Sequence, residues 1–249
     1  MPDHKYVSDE LFHFVGFSHP SDHEANYQVL LKILDSKMVI YRDFDPGSIG
    51  LRMSVDWNAD IVNGQLVVRQ VTCYCDIPET ALGIHKSKYG LFGVGFPRTY
   101  MVGRGTRPVI YVPIQPNDYR SGWGSIYGVL AIEDWKNAWD AFNEFVVEPN
   151  REHVMKRTLN IRPQNAKEAV WAVDDLVTKD FFAFIKAFDC DLSDDEVSNY
   201  YMEREWRLIG ALRFSESDLS SVFVPKHYEK RLIDDRPSYQ SLLRVSDNC

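Results

Sequence analysis

Two carboxylates and a guanidinium recur at alternate positions in residues 200–210, YYMEREWRLIG. Read as a strand, this stretch sends successive side chains to opposite faces. Met202, Arg204, Trp206 and Leu208 then share one face, and Tyr201, Glu203, Glu205 and Arg207 share the other. Burying the second face is costly unless its charges are paired or serve a reaction. Either the strand is an edge whose polar face is wet, or the sheet carries a polar site. In the second case Glu203 or Glu205 is the acid and Arg207 the clamp.

A histidine near the start is the next candidate. Residues 10–16, ELFHFVG, alternate as a short strand, with Leu11, His13 and Val15 on one face and Phe12 and Phe14 on the other. His13 therefore sits among apolar neighbours. It is either a core histidine satisfied by one backbone carbonyl or a site residue. Residues 89–97, YGLFGVGFP, interleave three glycines with large apolar side chains. Glycine weakens a strand, so its recurrence points to a bulge or to the close approach of another backbone or a ligand. No Gly-Lys-Ser/Thr follows, which excludes a phosphate loop, and no strand–glycine–helix dinucleotide fingerprint is present. The segment reads as a strand against a flat ligand, or as a crossing where only glycine fits.

Four cysteines, with Cys73 and Cys75 alternating, make no disulfide framework. No second cysteine pair or Cys/His cluster completes a four-ligand set, so no metal is expected and reduced thiols are. A divalent-metal reading through Asp43, Asp45 and Asp56 has no recognisable carboxylate spacing, and acidic residues in loops are usually turn formers.

The elements that must position these groups follow from periodicity. Asp22 caps a helix over 23–37, with Tyr27, Leu30, Leu31 and Leu34 at helical spacing. A short strand is predicted over 39–41. A hairpin at Asn63-Gly64 joins strands 51–56 and 66–75. Short helices follow at 79–88 and 99–105, then a strand over 107–114. Longer helices are predicted near 127–147 and over 164–188. A last strand spans 219–224, followed by helical pieces broken at Pro237. Strands and helices mix without regular βαβ alternation, which predicts an α+β fold with a largely antiparallel sheet. No linker stands out, so one domain over 1–249 is expected.

The 249 residues are 45% hydrophobic and 26% charged, ordinary for a folded chain. A net charge of -8 argues against a bulk nucleic-acid coat. No apolar run is long enough to span a membrane, and MPDHKYVSDE is too polar for a signal peptide, so a cytoplasmic protein without membrane contact is expected.

Several segments taken together resemble the AbiGi family of abortive phage-resistance proteins, often labelled the antitoxin partner. They are LFHFVG (11–16), the helix with Tyr27–Leu34, CYCDIP (73–78), HKSKYGLFGVGF (85–96), RPVIYVP (107–113) and EREWR (203–207). The resemblance runs from about residue 10 to 225. It implies phage defence and a partner toxin or antitoxin subunit. The order of His13-x-x-Gly16, the helix, Tyr89-Gly and a late Glu203 or Glu205 is also similar to ADP-ribosyltransferases. That second resemblance implies a split, mostly antiparallel sheet and NAD as cofactor. His13, with Gly16, would hold the nicotinamide ribose, and Tyr89 or Phe92 would stack on the nicotinamide ring. Arg207 would clamp the cofactor. Glu205 or Glu203 would stabilise the cationic sugar, and a nucleic acid or protein would accept the ADP-ribose. The enzymatic reading requires His13 and a glutamate to meet across one crevice. The alternative is a non-enzymatic antitoxin or regulatory subunit that binds a partner.

Overall fold

The computed structural model describes residues 7–41, 44, 70–114, 137–138, 172–173, 177, 181–189, 191–193, 196, 199 and 201–246. The chain divides into two compact units. Met1–Ile40, Thr72–Pro108 and Met202–Cys249 form the first, and Tyr41–Val71 and Val109–Tyr201 the second. Both are built from interleaved stretches, which is why no linker in the sequence marks the division.

In chain order the first unit contains β1 (Glu10–Phe14), α1 (His23–Ser36), β2 (Met38–Val39), β3 (Val71–Cys75, from Thr72 on), α2 (Gly83–Tyr89), β4 (Gly93–Pro97), α3 (Arg98–Gly103) and β5 (Arg107–Pro108). The strands β6 (Ile110–Ile114) and β7 (Ile185–Asp189) belong to the second unit. The first unit resumes with β8 (Glu205–Ile209), β9 (Leu212–Arg213), β10 (Ser221–Pro225), α4 (Glu229–Asp235) and β11 (Leu243–Ser246). Seven strands form one sheet in the order β11-β10-β4-β1-β3-β8-β5. The pairs β10–β4, β4–β1, β1–β3 and β8–β5 are antiparallel, and β10–β11 is parallel. The fold is thus mixed α/β with a large, mostly antiparallel sheet, as composition and pattern predict.

α1 starts where the sequence says it should. The Asp22 carboxylate accepts from the Ala25 N–H at 3.0 Å, satisfying one of the unpaired donors of the first turn. Tyr27, Leu30, Ile33 and Leu34 fall on one stripe and are buried. The helix ends at Lys37, which adopts the left-handed conformation (φ 53°).

Strand alternation gives the large sheet two different faces. Leu11, Tyr74, Val94, Phe96, Leu208 and Val222 pack with the α1 stripe in one core. Phe12, Phe14, Cys75 and Phe223 form a smaller core on the opposite face, with Tyr89 at the end of α2 packed against it. Burial of each such large apolar side chain contributes roughly 1.5–3 kcal/mol.

The interleaved glycines are explained by neighbouring protein. A Cβ on Gly93 would lie 2.6 Å from the His13 carbonyl oxygen and 2.9 Å from the Phe14 ring. One on Gly95 would collide with the Ser221 hydroxyl and crowd the Phe12 ring. Between β1 and β10 only glycine fits, and the flat-ligand reading of this strand gives way to packing.

Three expected elements differ. The strand over 200–210 begins only at Glu205, because Tyr201–Glu203 form a 3-10 turn and Arg204 takes a left-handed backbone (φ 45°). The strand over 107–114 is two strands with different partners: β5 pairs with β8 and β6 pairs with β7. The tail of the helix predicted to 188 is instead a 3-10 turn at Phe182–Phe184 running into β7, which lies parallel to β6. In the second unit Phe188 and Tyr111 flank Tyr201, with ring centroids 4.7 and 5.3 Å from it. The hairpin at 63–64 and the helix over 127–147 lie outside the described residues, apart from 137–138.

Candidate functional site

The acidic residues of the motif at 203–207 do converge, and they do so with α2. Glu203, Glu205 and Arg207 are all buried, at 5%, 6% and 5% exposure. α2 ends in Lys88-Tyr89, and Gly90 (φ 86°) turns the chain away. That places the Lys88 ammonium 2.6 Å from Glu203 Oε1, and the Tyr89 hydroxyl donates to the same oxygen. Two residues on, Arg207 Nε donates to Glu205 Oε1 at 2.6 Å. Just outside this group Arg204 grips Asp76 with two bonds, Nε to Oδ1 at 2.7 Å and Nη2 to Oδ2 at 3.3 Å. Asp76 also bonds through its N–H to the Arg204 carbonyl. The left-handed turn at Arg204 is therefore fixed by both main chain and side chain.

The electrostatics follow from that arrangement. Burial, then the Glu203 charge and the hydrogen bond to it, push the Tyr89 phenol far above its usual range, so it stays a donor. The Tyr89 ring lies 4.5 Å from His85 and 5.5 Å from Phe17, centroid to centroid. Burial also drives the Cys75 thiol up, which removes it as a nucleophile. Neither Cys73 nor Cys75 is in a disulfide. Among the described residues no three His, Cys, Asp or Glu side chains gather where they could hold a metal ion. Asp43, Asp45 and Asp56 lie outside the described residues.

His13 does not join this group. Leu208 and Trp206 pack with Leu11 and Tyr74, so alternation turns Glu205 and Arg207 to the opposite face of the sheet. His13 alternates with Phe12 and Phe14, shares the Leu11 face, and has its ring 5.6 Å from Tyr74. Its Nδ1 bonds to the Cys73 carbonyl at 2.8 Å. This corrects the expectation that His13 and a glutamate line one crevice: the sheet itself lies between them. The reason is register, because Glu205 stands in phase with the Phe12 face.

Two other expected ligand contacts are corrected as well. Phe92 is fully buried in the core, ring against Tyr27 and Tyr228, and cannot stack on a ligand. Gly16 serves the backbone of α2. Its N–H bonds to the Tyr89 carbonyl at 2.6 Å, and a Cβ there would strike that same oxygen and Asn26. Of the expected site residues, Tyr89, Glu203, Glu205 and Arg207 are brought together; His13, Gly16 and Phe92 are not. Sequence reasoning missed Lys88 and Asp76. Their pairing with residues more than a hundred positions away leaves no local pattern; the signal was only that buried carboxylates need cations.

Chemically, the cluster is a set of matched charges. Glu203 has Lys88 and Tyr89, Glu205 has Arg207, and Asp76 has Arg204. Such pairs lock α2, β3 and the start of β8 into one register.

A family model covering residues 61–236 matches this chain, and its description reads "Putative abortive phage resistance protein AbiGi, antitoxin". The chain belongs to the AbiGi family. No curated protein and no solved structure matches it. The matched span contains the whole Lys88–Tyr89–Glu203–Glu205–Arg207 cluster, whereas His13 and Gly16 lie before it. No helix among the described residues is long and apolar enough to cross a membrane.

Proposed function

We propose that this chain is the antitoxin of an abortive-infection pair: a non-enzymatic, cytoplasmic subunit that binds a partner toxin and restrains it until phage infection. The family description supports the setting and the role. The observation that carries the non-enzymatic half is the placement of His13 on one face of the sheet and Glu205 on the other. NAD cleavage would need these groups on one sugar. The glutamates are, moreover, already engaged by Lys88 and Arg207.

The decisive experiment expresses the chain alone and together with the product of the neighbouring gene. Cells tolerate the lone chain, the neighbour alone arrests growth, and co-expression restores growth with the two proteins purifying as one complex. A lone chain that kills cells overturns the proposal. Thermal unfolding with NAD supplies a second reading. The melting temperature stays where it is without NAD. A rise that disappears in Glu205→Gln would bring back an NAD-using enzyme, since only a ligand of the folded state raises the midpoint.

A further inference from the structure

At the first residue of α1 two imidazoles 204 positions apart in the sequence meet edge to edge. His23 Nδ1 lies 3.2 Å from His227 Nε2. The ring centroids are 5.2 Å apart and the planes are inclined by 31°. Two ring nitrogens at this spacing share either a proton or a metal ion. In a tetrahedral chelate with metal–nitrogen bonds of about 2.05 Å, the nitrogens stand about 3.3 Å apart and the ring centres about 5.2 Å apart. A collinear N–H···N bond of the observed length would push the ring centres to about 5.5 Å. The observed spacings, 3.2 and 5.2 Å, fit the chelate and equally fit a hydrogen bond bent at its nitrogens.

The surroundings hold the two rings in place. The His23 ring is held edge-on by Phe92 and Tyr228, at 5.9 and 6.4 Å, so its orientation is set by packing. The charged groups nearby are engaged elsewhere. Glu24 is bound by both terminal nitrogens of Arg231 and by the Tyr228 hydroxyl, Asp22 caps Ala25, and Lys226 pairs with Glu229. No third protein donor of the His, Cys, Asp or Glu type completes a cluster among the described residues.

We propose that His23 and His227 form a two-histidine chelate for a late first-row divalent cation, with Zn2+ as the reference ion and water in the remaining positions. Each ring then carries its proton on the far nitrogen, His23 on Nε2 and His227 on Nδ1, and offers the near lone pair to the metal. No bond is broken, and the step is a tautomer shift plus coordination. Imidazole pairs suit zinc, nickel and copper rather than magnesium or calcium. The ion would clamp the segment leading into α4 onto the first turn of α1, closing a loop of some two hundred residues.

The test uses the full chain, free of any polyhistidine tag and stripped with chelator, titrated with Zn2+ by calorimetry. One ion binds per chain, the melting temperature rises with added zinc, and Co2+ in place of zinc gives the strong visible absorption of a four-coordinate site. His23→Gln and His227→Gln each fold as the parent does, bind zinc at least about tenfold more weakly and lose the cobalt spectrum. Mutations behind a metal ligand already cost that much. Zinc affinity unchanged in both variants places the ion on other side chains and overturns the assignment. A parent chain that takes up no zinc overturns it equally.

Discussion

Two sets of carboxylate–cation pairs in the first unit stand under opposite conditions. Around the end of α2, Glu203–Lys88 and Glu205–Arg207 are shut away, with side chains only 6–7% exposed. Between α1 and α4, Glu24–Arg231 and Asp35–Arg236 make bonds of the same length, 2.6 Å, with a third to a half of each side chain in solvent. Distance does not separate the two sets; solvent does. In the buried set each ion has given up its hydration, so losing a partner leaves a bare charge in a poor dielectric. In the exposed set water takes the place of whichever partner leaves. The buried set therefore fixes which conformation the chain adopts, while the exposed set adds little beyond solubility and a preferred helix contact.

Breaking a buried pair gives the largest expected effect. Lys88→Met removes the ammonium and keeps the volume, and it should cost about 3–5 kcal/mol of stability in urea unfolding. Lys88→Met combined with Glu203→Met should recover most of that loss, because no charge is then left unpaired. If the double variant is as unstable as the single one, the cluster is held by packing and its charges are incidental.

His13 sharpens the comparison as a titratable group whose hydrogen-bond partner is a carbonyl, that of Cys73. Burial lowers its pKa below the ordinary 6.5, and the hydrogen bond to Cys73 opposes this without overcoming it. The unfolded chain then binds a proton that the folded chain refuses. Stability is intact above pH 6.5 and is lost as the pH falls from there through the folded pKa. His13→Leu should remove this part of the pH dependence. The difference between the two urea-midpoint curves should open below pH 6.5 and vanish above it. Parallel curves at all pH values would mean that His13 titrates alike in the folded and unfolded chain.

How much of this could be read in advance depended on the range of the interactions. The start of α1 and most of its stripe were legible, since the cap and the apolar spacing are local, although Ile33 rather than Leu31 is buried and the helix ends at Ser36. So was β1, whose alternation placed Phe12 and His13 on opposite faces. The break at Arg204 was not legible, because a single left-handed arginine is held there by Asp76, far away in sequence. The run FFAFIKAF at 181–188 has apolar spacing that serves a helix or a buried strand equally. Its pairing with β6 decides for the strand, and no local signal carries that pairing. For the cluster, the motif showed which residues needed an explanation. It could not show that Lys88 would supply it, nor that register would turn Glu205 away from His13.

The smallest effect belongs to the exposed set, and it separates charge from stability. Arg231, aided by Gln28 and Tyr228, holds the Glu24 carboxyl down at about 2. A carboxylate with a depressed folded pKa stabilises the fold above its ordinary 4.5 and loses that contribution as the pH falls toward 2. Glu24→Gln keeps the hydrogen-bond acceptor and leaves Arg231 over the Tyr27 ring at 4.5 Å. At neutral pH its urea midpoint should match the parent's within error, because solvent screens the pair. Below pH 4.5 the parent should lose stability slightly faster than the variant, and carboxyl NMR should find Glu24 titrating below its ordinary 4.5, by the small margin that a solvent-screened pair allows. A neutral-pH loss as large as that of Lys88→Met would show that exposure is not what divides the two sets. The division would then have to be sought in the geometry of the pairs themselves.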